Sequence, residues 1–203
     1  MPRAPALFIG HGSPMNAIVE NPYTHSWQAM ARRFARPSAV LCISAHWETE
    51  GTQVTTAAQP RTIHDFYGFP PALHDVVYPA PGSPALAARA TALTGASGDG
   101  EAWGFDHGAW CVLRALYPDA DVPVVQLSLD RTADPARHYA LGKALAPLRD
   151  ENVLLLGSGN LVHNLRHFRM PGPAYDWAIR FNDNVKEQIA ARDHEALTHL
   201  DVM

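Results

Sequence analysis

Three histidines follow three apolar, strand-like runs: His11 after PALFIG, His46 after AVLCISA, and His163 in GSGNLVHN after NVLLL. Imidazole is the commonest nitrogen ligand for zinc, copper, iron and nickel, and it also moves protons near neutral pH. Three imidazoles converging from separate strand ends would hold one transition-metal ion. Read singly, each histidine is more often a hydrogen-bonded turn residue than a ligand. The glycines on both sides of His11, in FIGHGSP, favour the metal because Gly10 and Gly12 permit close backbone approach at that strand end.

The elements that must carry these residues alternate along the chain. PALFI, AVLCIS, VPVVQLSL and NVLLLGS have the continuous bulky apolar character of strands buried on both faces, and TQVTTA is a weaker strand. Ser83 with Pro84, and Asp134 with Pro135, are N-cap and first-turn pairs that open helices. Leu141, Leu145 and Leu148 recur on one face of the second of these helices, and Trp177, Phe181, Val185 and Ile189 recur every four residues as the buried stripe of a later one. The pattern predicts one α/β domain over residues 1–203, with a mostly parallel central sheet flanked by helices. In such sheets ligands bind outside the carboxyl ends of the strands, where all three histidines fall.

Composition narrows the partners. The 203 residues are 47% hydrophobic and 18% charged with a formal charge of −4, which is ordinary for a globular chain and gives no basic footprint for nucleic acid or an anionic membrane. No apolar run is long enough to span a bilayer and the N-terminus lacks a signal-peptide pattern, so the expected location is the cytoplasm. Cys42 and Cys111, far apart and in no CxxC arrangement, are expected to be reduced and buried. The P-loop and dinucleotide fingerprints are absent, and GSGN around Ser158 does not match the G-x-S-x-G nucleophile elbow.

Six motifs in order, GHGSPMN (10–16), SAHWE (44–48), TIHDFYGFP (62–70), YPAPGSP (78–84), WGFDHGAW (103–110) and SGNLVHNL (158–165), resemble the class III extradiol ring-cleavage dioxygenases, in the branch that includes DOPA 4,5-dioxygenase. The resemblance runs over nearly the whole chain. It implies an enzyme that opens a catechol ring next to its two hydroxyls, using non-haem Fe(II) and molecular oxygen. Carried over by motif, His11 and His46 are metal ligands. His163 is implied to be either a further ligand, as in zinc-loaded forms, or the acid/base of the reaction, and His107 in FDHG to be a second catalytic histidine. His64, Asp65 and Tyr67 in TIHDFYGFP are the residues expected to meet substrate, although a His64–Asp65 hydrogen bond that merely pins the loop would explain the first two as well.

Two rival readings stand beside this one. Three histidines hold zinc and an activated water as readily as iron, which would make a zinc hydrolase indifferent to oxygen. Family members also continue past the region matching RDHEALTHLDVM to a P-E-H histidine that completes the iron triad, and no P-E-H occurs here. The resemblance therefore implies a chain incomplete at its C-terminus relative to the family, and the second rival is a metal-binding but inactive remnant.

Overall fold

Val40 and Cys42 point to one side of the central sheet and Ala39 and Leu41 to the other, and all four are buried, so helices must cover both faces. The computed structural model, which describes residues 3–167 and 172–200, has that arrangement. The strands are β1 (Ala6–Ile9), β2 (Ala39–Thr49), β3 (Gln53–Val54), β4 (Ser97–Gly98), β5 (Val124–Asp130) and β6 (Val153–Ser158). The helices are α1 (Pro22–Ala31), α2 (Pro71–His74), α3 (Pro84–Thr94), α4 (His107–Leu116), α5 (Pro135–Ala144), α6 (Asp176–Ala191) and α7 (His194–Thr198).

The sheet order is β1-β6-β2-β5-β3-β4, parallel throughout except where β3 meets β5 at Val54 and Leu127. One apolar layer contains Trp27 of α1 and Trp110 and Leu113 of α4 against Val40, Val124 and Leu154; the other contains Leu86 of α3 with Leu145 and Leu148 against Leu41, Val125 and Leu127. Each fully buried side chain of this size contributes about 1.5–3 kcal/mol. Cys42 and Cys111 are free and buried, and burial pushes both thiols well above their usual range.

Every strand expected from the sequence is present, and Ser83 and Asp134 cap α3 and α5 through their side chains. Three features differ. Leu145 and Leu148 are buried, but α5 stops at Ala144 and the chain continues as a 3₁₀ turn over Ala146–Glu151, where Pro147 breaks the helical ladder. The stripe on α6 is only partly a core stripe: Val185 is buried while Trp177 is 36% and Ile189 53% exposed, because α6 packs chiefly on the short α7 rather than on the sheet. Helices α1 and α4, beyond the helices expected, carry much of one core layer, and α4 does so with a pronounced apolar face.

Candidate metal centre

Register brings the site together. In β6 Ser158 is level with Ile9 of β1 on one side and with Ser44 of β2 on the other. His11 lies two residues past Ile9 and His46 two past Ser44, so both imidazoles reach the same end of the sheet on either side of Ser158. The β2–β5 register slips between Ile43 and Glu48, and this bulge turns His46 toward its neighbours. His107 comes from a helix start rather than a strand end. Asp106 caps α4 by accepting from the Ala109 N–H, and its buried carboxylate is fixed by Ser44 Oγ at 2.6 Å and Gln126 Nε2 at 2.8 Å.

His11, His46 and His107 each place one ring nitrogen within 4.8 Å of the other two, the only such set among the described residues. The Nε2 atoms of His11 and His46 are 3.1 Å apart. With metal–nitrogen bonds of about 2.0–2.1 Å, two ligands at right to tetrahedral angles have nitrogens roughly 2.8–3.4 Å apart, so this pair is spaced for one ion.

The hydrogen-bond network sets the tautomers. Ser158 Oγ donates its one hydrogen to the Gly108 carbonyl, so it must accept from Nδ1–H of His11 at 3.0 Å, leaving the lone pair on Nε2. Nδ1 of His46 faces Asp65 Oδ2 at 3.4 Å, and Nδ1 of His107 lies 3.0 Å from Asp65 Oδ1, in ionic contact but outside hydrogen-bond geometry. All three rings thus have an oxygen beside Nδ1, and an ion between the Nε2 atoms of His11 and His46 would take the place of the one hydrogen that their 3.1 Å contact otherwise requires.

The backbone itself calls for the glycines around His11. Gly12 has φ +63°, in the left-handed region, and a Cβ on Gly10 would lie 3.3 Å from Asn160 Oδ1. Asn16 Nδ2 donates to the His11 carbonyl at 2.8 Å and Ser13 caps the turn that follows.

His163 is exposed in the stretch beyond β6 and contributes no nitrogen to the cluster, but its charge is close enough to lower the pKa of His11 and His46. His64 does not bond Asp65; its Nε2 is 2.9 Å from the Val76 carbonyl, so it pins the loop through the backbone. Tyr67 is 94% exposed, two residues beyond Asp65. The positions that sequence reasoning missed are Ser158, Ser44, Gly108 and Gln126. Only Ser158 carried a signal, as a polar residue ending an apolar strand.

Burial, and then the charges of His46, His107 and His163, lower His11 to a pKa of about 3. His46 is lowered too, first by burial and then by His107. Burial alone would raise Asp65, but the ring and backbone N–H of His107 outweigh it and hold the carboxyl below its ordinary value. For His11 the sign follows from linkage: the unfolded chain takes up a proton near pH 6.5 that the folded chain refuses until about 3. Its contribution to stability is complete above pH 6.5 and is lost as pH falls from there toward 3. We expect metal-free protein to lose a few kcal/mol over that window, on the order of what such a shift implies. Urea midpoints at pH 7, 5.5 and 4 that do not change would contradict it.

The comparisons with known proteins agree with this geometry. A family model described as the catalytic LigB subunit of aromatic ring-opening dioxygenase matches residues 4–203. A protein of Escherichia coli K12 called 4,5-DOPA dioxygenase extradiol is 51% identical over 208 residues, covering 98% of this chain and 77% of that protein. A Beta vulgaris protein of the same name is 46% identical over 167 residues, covering 77% of this chain and 62% of that one. A crystal structure of an uncharacterised E. coli K12 protein superposes with a TM-score of 0.79 at 48% identity, covering 92% of this chain and 72% of that one.

Proposed function

The chain belongs to the family of the catalytic LigB subunit of aromatic ring-opening dioxygenases, and on that premise we propose that it opens a catechol ring beside its hydroxyls with O2, acting on DOPA by 4,5-cleavage or on a related catechol. The observation that carries this reading is the convergence of three imidazoles whose Nδ1 atoms all face oxygen partners. Fe(II) is the ion proposed for catalysis, and Zn(II) suits the same nitrogens in isolated protein. When bound, the ion supplies a meeting point for the catechol oxygens and O2 and a route for electron density between them. Both oxygen atoms end in the product, a muconic semialdehyde.

His11 and His46 are the ligands we assign to the metal. The His46 and His107 ring centroids are 3.9 Å apart. Two imidazoles at right angles on one ion would place them at about 4.5 Å. That packing, and the Asp65 contact, favour His107 as the group that takes the catechol proton on Nε2 and returns it, with His163 joining the ligands from the rim. The reverse assignment, His107 as ligand and His163 as acid/base, is favoured by the ligand-distance cluster itself. Retained metal with lost turnover identifies the acid/base; lost metal identifies the ligand. Tyr67, exposed beside the cluster's loop, is proposed to contact the ring substituents, with His64 steadying the loop behind it.

Two buried free thiols support placing the protein in the reducing cytoplasm, and among the described residues no helix is long and apolar enough to cross a membrane. The decisive experiment is oxygen uptake by this chain, loaded anaerobically with Fe(II) and mixed with aerated DOPA. Uptake matched one to one by a yellow ring-opened product is expected. Metal binding without uptake would favour the inactive-remnant reading, and hydrolysis without oxygen would favour the zinc hydrolase.

A further inference from the structure

Asp65 sits in a loop between β3 and α2 whose backbone is fixed independently of any ligand. The Ile63 N–H donates to the Phe105 carbonyl at 2.7 Å, Trp110 Nε1 donates to the Ile63 carbonyl at 2.8 Å, and the Tyr78 N–H donates to Thr62 Oγ1 at 3.0 Å. Held there, the two carboxylate oxygens are divided between two rings. Oδ2 faces His46 Nδ1 at 3.4 Å, while Oδ1 faces His107 Nδ1 at 3.0 Å and also accepts the His107 backbone N–H at 2.9 Å. Nδ1 of His107 is buried with no hydrogen-bond partner in good geometry, and Asp65 is the acceptor nearest to it.

We propose that Asp65 is a positioning residue: one carboxylate that keeps both His46 and His107 protonated at Nδ1 and so turns both Nε2 lone pairs toward the centre of the cluster. The inference rests on reading that cluster as the reaction centre. It replaces a substrate-binding role, because both oxygens are already committed and a carboxylate would repel the carboxylate of an amino-acid catechol. Free histidine favours the Nε2–H tautomer, which would put hydrogens where ligand lone pairs are needed. His11 does not depend on Asp65, since Ser158 sets its tautomer, and it serves as an internal reference.

The test uses the full chain, first without metal. Imidazole nitrogen NMR of the parent is expected to show both His46 and His107 with hydrogen on Nδ1, His46 sharing a further one with His11 across their Nε2 contact. In Asp65→Ala both should move toward Nε2–H while His11 stays unchanged, and Co(II) affinity should fall about 10–100-fold. Asp65→Glu should recover part of that loss. Asp65→Asn, the variant least prone to misfold, keeps one acceptor oxygen and offers an amide N–H to the other ring, so one of the two rings should change and the other not. Unchanged tautomers in the alanine and asparagine variants would overturn the proposal, as would unaltered Co(II) affinity with only the KM for catechol raised. If the parent binds no Co(II) yet its tautomers respond to Asp65, the metal reading fails and the positioning role stands; metal binding with unresponsive tautomers means the opposite.

Discussion

Gly108→Ala is expected to weaken metal binding by up to about 30-fold while leaving the protein folded. A Cβ at this position would stand 2.5 Å from Ser44 Oγ, 2.8 Å from His46 Cδ2 and 3.2 Å from Asp106 Oδ1. None of these neighbours can yield cheaply. Ser44 is held by Asp106, Asp106 by Gln126, and His46 is confined between His11 and His107. Overpacking of this kind costs about 1–3 kcal/mol, offset by about 1 kcal/mol because Gly108 lies in α4 and alanine is the better helix former. The residual strain falls on His46 and, through the Gly108 carbonyl that Ser158 bonds, on His11. Gly142→Ala in α5, where a new Cβ meets nothing within 4 Å, is the control and should stabilise slightly. Cobalt titration with urea denaturation of both variants checks the claim, and a Gly108→Ala protein that binds cobalt like the parent would refute it.

Removing His11 or His46 should have the largest effect on the metal itself. Structural zinc sites bind with about 10–16 kcal/mol over four ligands, so one ligand is worth roughly 2.5–4 kcal/mol, or about 100- to 1,000-fold in affinity. His11 is 2% exposed and its Nε2 is 3.1 Å from that of His46, so the two rings are placed to hold the same ion. We expect His11→Ala and His46→Ala each to bind Co(II) about 100- to 1,000-fold more weakly than the parent. Affinities within threefold of the parent in both variants would remove the cluster from consideration as a metal centre.

These two expectations differ in how visible they were beforehand. His11 and His46 could be found because a strand announces itself by a run of apolar residues and the rule about strand ends says where to look next. That is local information joined to one topological regularity. Gly108 and Ser158 could not be found so, because their importance depends on which strands are neighbours and on register: Ser158 matters only because β6 lies between β1 and β2. Asp65 was legible as a chemically interesting residue and was given the wrong partner, His64, because adjacency in sequence was the only guide. The loop turns its carboxylate to His46 and His107 instead, 19 and 42 residues away. The α6 stripe failed for a related reason: a four-residue period shows that a helix has an apolar face and says nothing about whether anything covers it.

The edge position of β1 bears on the order of events in folding. His11 reaches Ser158 across 147 residues of chain, and β1 pairs with β6 alone. Parallel pairings between such distant segments close a long loop and form slowly. During synthesis the first strand therefore waits, its partner unmade, until β6 has left the ribosome, while β2 and β5 can already associate. Two of the three imidazoles, those of His46 and His107, can come together in that interval; the third arrives only with the last strand pair. Metal capture would then follow the pairing of β1 with β6, and an ion taken up by a refolding chain would time the docking of β1 rather than the collapse of the core.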